Sequence, residues 1–270
     1  MPVHICKECG TSFPNSPSSP ACCPICEDDR QYVPRTGQAW TTPNALSAEH
    51  VNAWRQLEPN LFEIHTQPDF AIGQRALLIQ TPGGNYLWDC IALIDDATIE
   101  LIKGLGGLAG IAVSHPHYYT RCQDWASAFR CPVHLHAADQ RWVMRPDPAM
   151  QFWEGDRLIL GDDLTLIRLG GHFPGSAAMY WTTGANREGV LLTGDTVQVV
   201  ADPSRVTFMW SYPNMIPLSA TTVRRIADAL KHWRVDRVYG FNVGRQITHD
   251  GSAAIEHSAQ RYIELLSEDH

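Results

Sequence analysis

Apolar and polar positions alternate along two stretches of the chain, and each stretch is followed by apolar positions at helical spacing. The predicted strands are 61–65, 75–80, 86–89, 110–114, 132–136, 158–160, 164–169, 177–181, 190–193 and 235–240. The predicted helices are 47–57, 97–105, 124–129, 137–143, 220–233 and 253–266. Two β-rich halves that both end in helices predict an α+β fold, in which two sheets pack face to face with helices outside in an αββα sandwich.

The amino-acid composition is that of an ordinary globular protein. It has 270 residues, of which 44% are hydrophobic and 19% charged. The formal net charge of −8 disfavours general attraction to nucleic acid or anionic lipid. No apolar run approaches the roughly 18 residues that span a bilayer, and no export signal is visible at the N-terminus. We therefore expect a cytoplasmic protein without a membrane or nucleic-acid partner; the oligomeric state stays open, a homo-oligomer included.

Cysteines are concentrated near the N-terminus, where five of the eight lie in the first 26 residues. Cys6 and Cys9 form one C-x-x-C pair, and Cys23 and Cys26 form another 13 residues later. Each pair supplies two thiolates from one tight turn, and four thiolates suit a tetrahedral metal ion. The spacing predicts a four-cysteine metal site for zinc or iron, with Cys22 as an alternative to its neighbour.

The cysteine-rich stretch also predicts a domain boundary. Residues 1–35 are rich in Cys, Pro and Ser and poor in apolar residues, so this segment needs a metal to fold. It is similar to a zinc ribbon or a rubredoxin-type pair of knuckles. A linker with Pro34, Gly37 and Pro43 in or beside it follows. We predict a small ribbon over 1–35 and a main domain over 45–270.

Histidines and acidic residues follow several predicted strands of the main domain. His115 and His117 come directly after the apolar run at 110–113, His172 follows a Gly-Gly pair, and Asp195 follows Gly194. Because open sheets gather ligands at strand ends, we expect these loops to converge. Three neutral imidazoles and one carboxylate suit a divalent transition metal with a position left for water. His134 and His136 lie at i, i+2 on a strand and are weaker competitors for the same role.

These residues occur in the order of a known family. From about Leu61 onward the chain resembles the metallo-β-lactamase superfamily, the glyoxalase II-like hydrolases in particular. In that family an H-x-H-x-D-H motif, a G-H-x-P-G segment and a G-D segment follow successive strands. The matching positions here are His115 with His117, Gly171-His172-Phe173-Pro174-Gly175, and Gly194-Asp195. The stretch Leu87-Trp88-Asp89 is similar to the family's early L-x-D strand.

Three positions depart from the family pattern. Tyr119 and Thr120 stand where the family has the aspartate and the fourth histidine of its first motif, and Asn242 or its neighbour Phe241 stands in place of its last histidine. These positions normally build a second metal site. The resemblance therefore implies one intact site and a lost second one.

The resemblance implies a mononuclear metallohydrolase for an ester, thioester, lactone or phosphoester. His115, His117 and His172 would hold a zinc-type ion, and Asp195 would join as a ligand or orient the water and take its proton. Tyr119 or Tyr212 would stabilise the developing oxyanion. A small molecule is the expected substrate.

Two alternatives stay open at this point. Persulfide dioxygenases resemble glyoxalase II but use one iron held by two histidines and an aspartate, for which His115, His172 and Asp195 are available. The three missing ligands also allow a non-catalytic binding module that uses the ribbon as its contact with a protein partner.

Overall fold

The computed structural model describes residues 1–267 and separates into two compact units, Met1–Trp153 and the part from Glu154 onward. The strands of the first unit are β1 (His4–Cys6), β2 (Ser12–Phe13), β3 (Trp40–Thr41), β4 (Val51–Glu58), β5 (Leu61–Gln67), β6 (Arg75–Thr81), β7 (Gly84–Trp88), β8 (Gly110–Ala112), β9 (Val133–His136) and β10 (Met150–Trp153). Its helices are α1 (Pro43–Glu49), α2 (Asp96–Gly104) and α3 (Cys122–Phe129), with two 3₁₀ helices at Pro116–Tyr118 and Ala137–Trp142.

The main sheet of the first unit has seven strands in the order β10-β9-β8-β7-β6-β5-β4. Strands β4 to β7 run antiparallel to their neighbours, as the predicted meander requires, and β7 to β10 run parallel. The carboxyl ends of β7, β8 and β9 therefore lie at one edge of the sheet. That edge presents Asp89, His115 and His136, since each follows or ends one of these strands.

The N-terminal segment belongs to the same compact unit. It forms a three-stranded sheet in the order β2-β1-β3. Ile5 of β1 lies in a small buried cluster with Leu46 of α1 and with Ala92 and Leu93, which follow β7. This apolar cluster packs the ribbon against α1 and the segment after β7. The domain boundaries at residues 35 and 45 stay a prediction.

The second unit combines a six-stranded sheet with two long helices. Its strands are β11 (Arg157–Ile159), β12 (Leu164–Arg168), β13 (Ala177–Trp181), β14 (Val190–Leu192), β15 (Gln198–Val199), β16 (Val206–Thr207), β17 (Met209–Ser211), β18 (Ile216–Pro217), β19 (Arg237–Tyr239) and β20 (Gln246–Ile247). Its helices are α4 (Gly184–Arg187), a single turn, α5 (Ala220–Leu230) and α6 (Gly251–Ser267). The sheet order is β11-β12-β13-β14-β19-β20, and two small hairpins pair β15 with β16 and β17 with β18. The apolar faces of α5 and α6 share one buried core with this sheet.

The predicted helix over 47–57 is wrong. The helix begins four residues earlier at Pro43, where Thr42 is the N-cap and accepts a hydrogen bond from the backbone N–H of Ala45 at 3.3 Å. Proline at the first helical position fits this start, because its missing N–H has no partner there in any case. Ser47 lies inside the helix, and the following residues pair with β5 as strand β4.

No helix among residues 1–267 is long and apolar enough to cross a membrane.

Candidate metal centres

Four cysteines of the first unit converge on one point. Sγ of Cys6 lies 3.6 Å from Sγ of Cys26, and Sγ of Cys9 lies 3.7 Å from Sγ of Cys23. A tetrahedron with metal–sulfur bonds of about 2.3 Å has sulfurs about 3.8 Å apart, so the donor set fits one ion. All four side chains are buried and form a group that could hold a metal. Hydrogen bonds among the four thiols lower the pKa of Cys6 and raise the pKa of Cys9 and of Cys26, so without an ion the thiols share their protons and Cys6 is the thiol most disposed to ionise.

Gln38 supports this cysteine site with its side-chain amide. Its Nε2 donates to Sγ of Cys6 at 3.1 Å, and its Oε1 accepts from the backbone N–H of Cys23 at 3.2 Å. Amide donors to sulfur stabilise thiolate ligands and fix their orientation. Cys22 is half-buried and is not a member of the four-cysteine group, so it is Cys23 whose thiol lies with those of Cys6, Cys9 and Cys26.

The loop after β8 holds His115 and His117, the first two histidines of the candidate metal motif. His115 is in an extended conformation, and His117 lies in the 3₁₀ helix Pro116–Tyr118 that follows it. Their rings have centroids 5.0 Å apart, and both side chains are buried. Proline at the start of the 3₁₀ helix fixes this tight turn, which brings two imidazoles spaced i, i+2 close together.

A relay of hydrogen bonds orients the first of these imidazoles. The Asp89 carboxylate accepts from the backbone N–H of Ser114 at 2.7 Å and from its hydroxyl at 3.1 Å. The Ser114 hydroxyl oxygen lies 2.8 Å from Nδ1 of His115. Since the proton of the Ser114 hydroxyl is directed to Asp89, Nδ1 of His115 is the donor in the bond between Ser114 and His115. The neutral ring then carries its lone pair on Nε2, which is the form that binds a metal ion.

Tyr119 and Thr120, the two positions at which the sequence departs from the predicted motif, have partners within the first unit. Tyr119 is buried, and its burial raises the pKa of the hydroxyl well above the ordinary value, with the charge of Asp139 adding to the effect. Thr120 has φ of +33°, and its carbonyl accepts bonds from both the backbone N–H and the hydroxyl of Ser12, each at 2.9 Å. Neither residue offers an imidazole or a carboxylate.

The second unit holds the other histidine and the aspartate of the motif. Nε2 of His172 lies 3.5 Å from Oδ2 of Asp195, and both side chains are buried. Two ligands of one tetrahedral ion, at bond lengths of about 2.0–2.1 Å, lie about 3.4 Å apart, so this pair also fits a shared ion. Gly170 and Gly171 adopt φ of +61° and +83°, a backbone that turns the chain sharply before His172.

Tyr212 lies against this pair but is engaged by the backbone. Its hydroxyl donates to the carbonyl of Asp195 at 2.8 Å, and its ring centroid lies 6.0 Å from that of His172. Burial, followed by the charge of Asp195, raises the pKa of the Tyr212 hydroxyl well above the ordinary value. Its observed contact is with the loop that carries Asp195, and its predicted role at a substrate oxyanion stays a prediction.

The remaining sequence candidates have other partners. The side-chain oxygen of Asn242 accepts from Nε2 of Gln198 at 2.9 Å. Nδ1 of His136 accepts from the backbone N–H of Ala138 at 3.1 Å and so caps the 3₁₀ helix Ala137–Trp142. Within residues 1–267, neither His134 nor His136 belongs to a group of ligand-type side chains that could hold a metal.

Three residues that support the candidate metal sites were not identified from the sequence. Ser114 could have been found, because it directly precedes His115 and follows β8, which pairs with the strand that Asp89 follows. Gln38 and Gln74 carry no local signal. Gln74 is 4% exposed, and its Nε2 donates to the carbonyl of Cys9 at 2.9 Å and to the carbonyl of His117 at 3.2 Å.

Comparison with known proteins identifies a full-length relative. The chain is 42% identical over 271 residues to the uncharacterized protein YmaE of Bacillus subtilis (strain 168), and the alignment covers 100% of this chain and 98% of that protein. No family model matches the sequence.

Solved structures with the same fold are metallo-β-lactamases. The DIM-1 metallo-β-lactamase has a TM-score of 0.60 at 15% identity, and the match covers 80% of this chain and 98% of that chain. A B3 metallo-β-lactamase with an active-site glutamic acid has a TM-score of 0.53 at 15% identity, over 81% of this chain and 88% of that chain. The enzyme of Cronobacter sakazakii, as a HARLDQ motif mutant, has a TM-score of 0.52 at 16% identity, and the match covers 79% of this chain and 96% of that chain. The predicted fold class is thereby confirmed: the chain belongs to the family of Bacillus subtilis YmaE, and its fold is that of the metallo-β-lactamases.

Proposed function

We propose that this protein is a metal-dependent hydrolase that uses one zinc ion in a site built from His115, His117, His172 and Asp195. A second zinc ion in the four-cysteine site serves the structure. The substrate class is an ester, thioester, lactone or phosphoester, as in the glyoxalase II-like branch that the sequence motifs resemble. Metallo-β-lactamase likeness over about four fifths of the chain supports a hydrolytic reaction.

The hydrogen-bond relay from Asp89 through Ser114 to His115 carries this proposal. A histidine that is merely packed in a core needs no carboxylate to set its tautomer. Here Asp89 is 2% exposed and Ser114 is 1% exposed, so water cannot replace either of them as the hydrogen-bond partner. Metal-binding imidazoles characteristically donate their other ring N–H to such a partner.

A single catalytic ion follows from the residues at the family's other ligand positions. Thr120 is held through its carbonyl by Ser12, and Asn242 is held through its side chain by Gln198. A tyrosine hydroxyl is protonated at neutral pH, burial raises the pKa of Tyr119 further, and a neutral phenol is a poor ligand for zinc. These positions therefore contribute no second set of ligands.

Each residue has a role in the proposed reaction. When bound, a zinc ion supplies Lewis acidity and lowers the pKa of water from about 15.7 towards 7. The three imidazoles supply neutral nitrogen ligands. Oδ1 or Oδ2 of Asp195 accepts the proton released in the attack, or binds the ion directly. We assign the hydroxyl of Tyr119 or Tyr212 to the developing oxyanion, since a tyrosine hydroxyl is protonated at neutral pH and can donate a hydrogen bond.

The proposed surroundings follow from the ligand chemistry. Four thiolates persist as ligands in a reducing compartment, which supports the cytoplasm as the location. The partner we propose is the small-molecule substrate, without nucleic acid or membrane.

Hydrolysis of a substrate panel tests this proposal. The zinc-loaded protein would be assayed with an aryl ester, a thioester, a lactone and a phosphodiester, with His172→Ala and Asp195→Asn as inactive variants and His134→Ala as the matched histidine control. We expect turnover of at least one class, lost in the first two variants and kept in the third.

The same protein, loaded with iron in place of zinc, distinguishes the hydrolase from the two alternative functions. Oxygen uptake with a thiol persulfide after iron loading, in the absence of hydrolysis, would favour the dioxygenase chemistry. No turnover by either assay, with metal bound, would favour a binding module and contradict the hydrolase.

A further inference from the structure

The four-cysteine segment lies directly against the loop that carries the histidine pair. The backbone N–H and the hydroxyl of Ser12 both donate to the carbonyl of Thr120, which is three residues after His117. Gly10, next to Cys9, approaches the same residue so closely that a Cβ at this position would lie 3.3 Å from Cγ2 of Thr120. A larger residue at position 10 would therefore displace the loop or the knuckle.

Gln74 makes a second and more direct connection. Its Nε2 donates to the carbonyl of Cys9 at 2.9 Å and to the carbonyl of His117 at 3.2 Å. A side-chain amide nitrogen has two protons, so both bonds form at once. One buried amide thus joins the backbone of a thiolate ligand to the backbone of an imidazole ligand.

The histidine loop needs such support because its conformation is unfavourable. Thr120 is a β-branched residue with φ of +33°, a region that L-amino acids with branched side chains rarely adopt. Such a backbone persists only where its surroundings hold it. The two bonds from Ser12 reach this loop from the ribbon, and Gln74 of the main domain binds the ribbon and the loop at once.

The ribbon, in turn, depends on its metal. Segments with few apolar residues and a four-cysteine site gain their folding free energy from metal binding. Loss of that ion would release the knuckle at 6–10 and with it the positions of Ser12 and of the Cys9 carbonyl. The two bonds from Ser12 to the histidine loop would then be lost, and the Gln74 amide would keep only its bond to the carbonyl of His117.

We propose that the ion in the four-cysteine site raises the metal affinity of the His115 and His117 site, and that Gln74 and Ser12 are the positioning residues that couple the two sites. This inference rests on the proposed function, since it requires the histidine site to bind metal. Coupling between binding sites is reciprocal, so a metal at the histidines would also tighten the cysteine site.

Cobalt binding to the full-length protein tests the coupling. Thiolate-to-cobalt charge-transfer bands report on the cysteine site, and the visible bands of a site without thiolates report on the histidines. With the cysteine site filled, Gln74→Ala and Ser12→Ala are expected to weaken cobalt binding at the histidine site about tenfold, by analogy with other residues that orient metal ligands.

Gln80→Ala is the matched control. Gln80 is also a glutamine of the first unit whose Nε2 donates to a backbone carbonyl, that of Leu105 at 3.2 Å, but it touches neither site. Gln80→Ala should bind cobalt at the histidine site with the affinity of the wild type. In all variants the thiolate-to-cobalt charge-transfer bands of the filled cysteine site should equal those of the wild type.

The outcomes distinguish the two proposals. Unchanged affinity at the histidines in both Gln74→Ala and Ser12→Ala would overturn the coupling and leave the hydrolase intact. A wild type that binds metal at both sites, shows the coupling and hydrolyses nothing would overturn the hydrolase alone. A wild type that takes up cobalt only at the cysteines would overturn both.

Discussion

The carboxylate of Asp89 accepts two hydrogen bonds from Ser114, one from its backbone N–H at 2.7 Å and one from its hydroxyl at 3.1 Å. Asp89 follows β7 and Ser114 follows β8, so the parallel pairing of these strands places them side by side. Asp89 itself has φ of +61°, a turn that directs its side chain across to the neighbouring strand. A sheet edge is thus converted into a support for His115.

Ser114→Ala should weaken metal binding at the histidines by about 10- to 100-fold, because His115 loses the acceptor that sets its tautomer. Ser47→Ala is the control, since the Ser47 hydroxyl also donates a hydrogen bond but lies on the exposed helix α1. Chelator competition measures both affinities. Equal affinities in the two variants would show that the relay does not support a metal ligand.

Cys9→Ser should remove one equivalent of metal per chain, whereas Cys22→Ser should remove none. Cys9 lies in the converging group with Cys6, Cys23 and Cys26, and Cys22 does not. The two substitutions are chemically identical, so elemental analysis of the purified variants compares position alone. A metal content reduced equally by both would mean that the ligand set has been assigned wrongly.

Gly171→Ala should destabilise the protein more than Gly155→Ala. Both glycines have φ near +82°, so both substitutions introduce the same backbone strain, about 1 kcal/mol or more. Only at Gly171 would the new Cβ collide with a neighbour, Cδ1 of Leu218 at 2.8 Å, which adds about 1–3 kcal/mol. The difference in urea midpoint between the variants measures this packing term. Identical midpoints would contradict the close approach that brings the chain to His172.

Glu63→Gln should cost about 3–5 kcal/mol of unfolding free energy, because it leaves the guanidinium of Arg75 buried without its charge partner. Both side chains are almost fully buried, at 1% and 0% exposure. Glu100→Gln breaks an exposed ion pair with Lys103 and should change stability by less than about 1 kcal/mol. Denaturant unfolding of both variants gives the comparison. A loss at Glu63 as small as that at Glu100 would refute the importance of the buried pair.

The parts of the site that are local in sequence could be predicted, and those that depend on tertiary contacts could not. The two C-x-x-C pairs and the i, i+2 histidines carry their spacing in the chain itself. Gln74 carries no such signal, because its two acceptors lie 65 and 43 residues away in the sequence. Its role arises only when the ribbon packs against the histidine loop.

The helix predicted over 47–57 is wrong for a different reason. The helix predicted over 47–57 relied on Ser47 as a cap, but Thr42 followed by Pro43 is the stronger start, and the helix ends at Glu49. The following segment, which holds Trp54, becomes strand β4 through its pairing with β5. Pairing with the next strand in a hairpin thus overrides the local helix propensity.

Metal content by elemental mass spectrometry tests the central claim most directly. We predict two metal ions per chain in the wild type, one in His115→Ala and one in Cys6→Ser, because each substitution removes a ligand from a different site. A wild type with a single ion whose amount His115→Ala leaves unchanged would contradict the catalytic metal site.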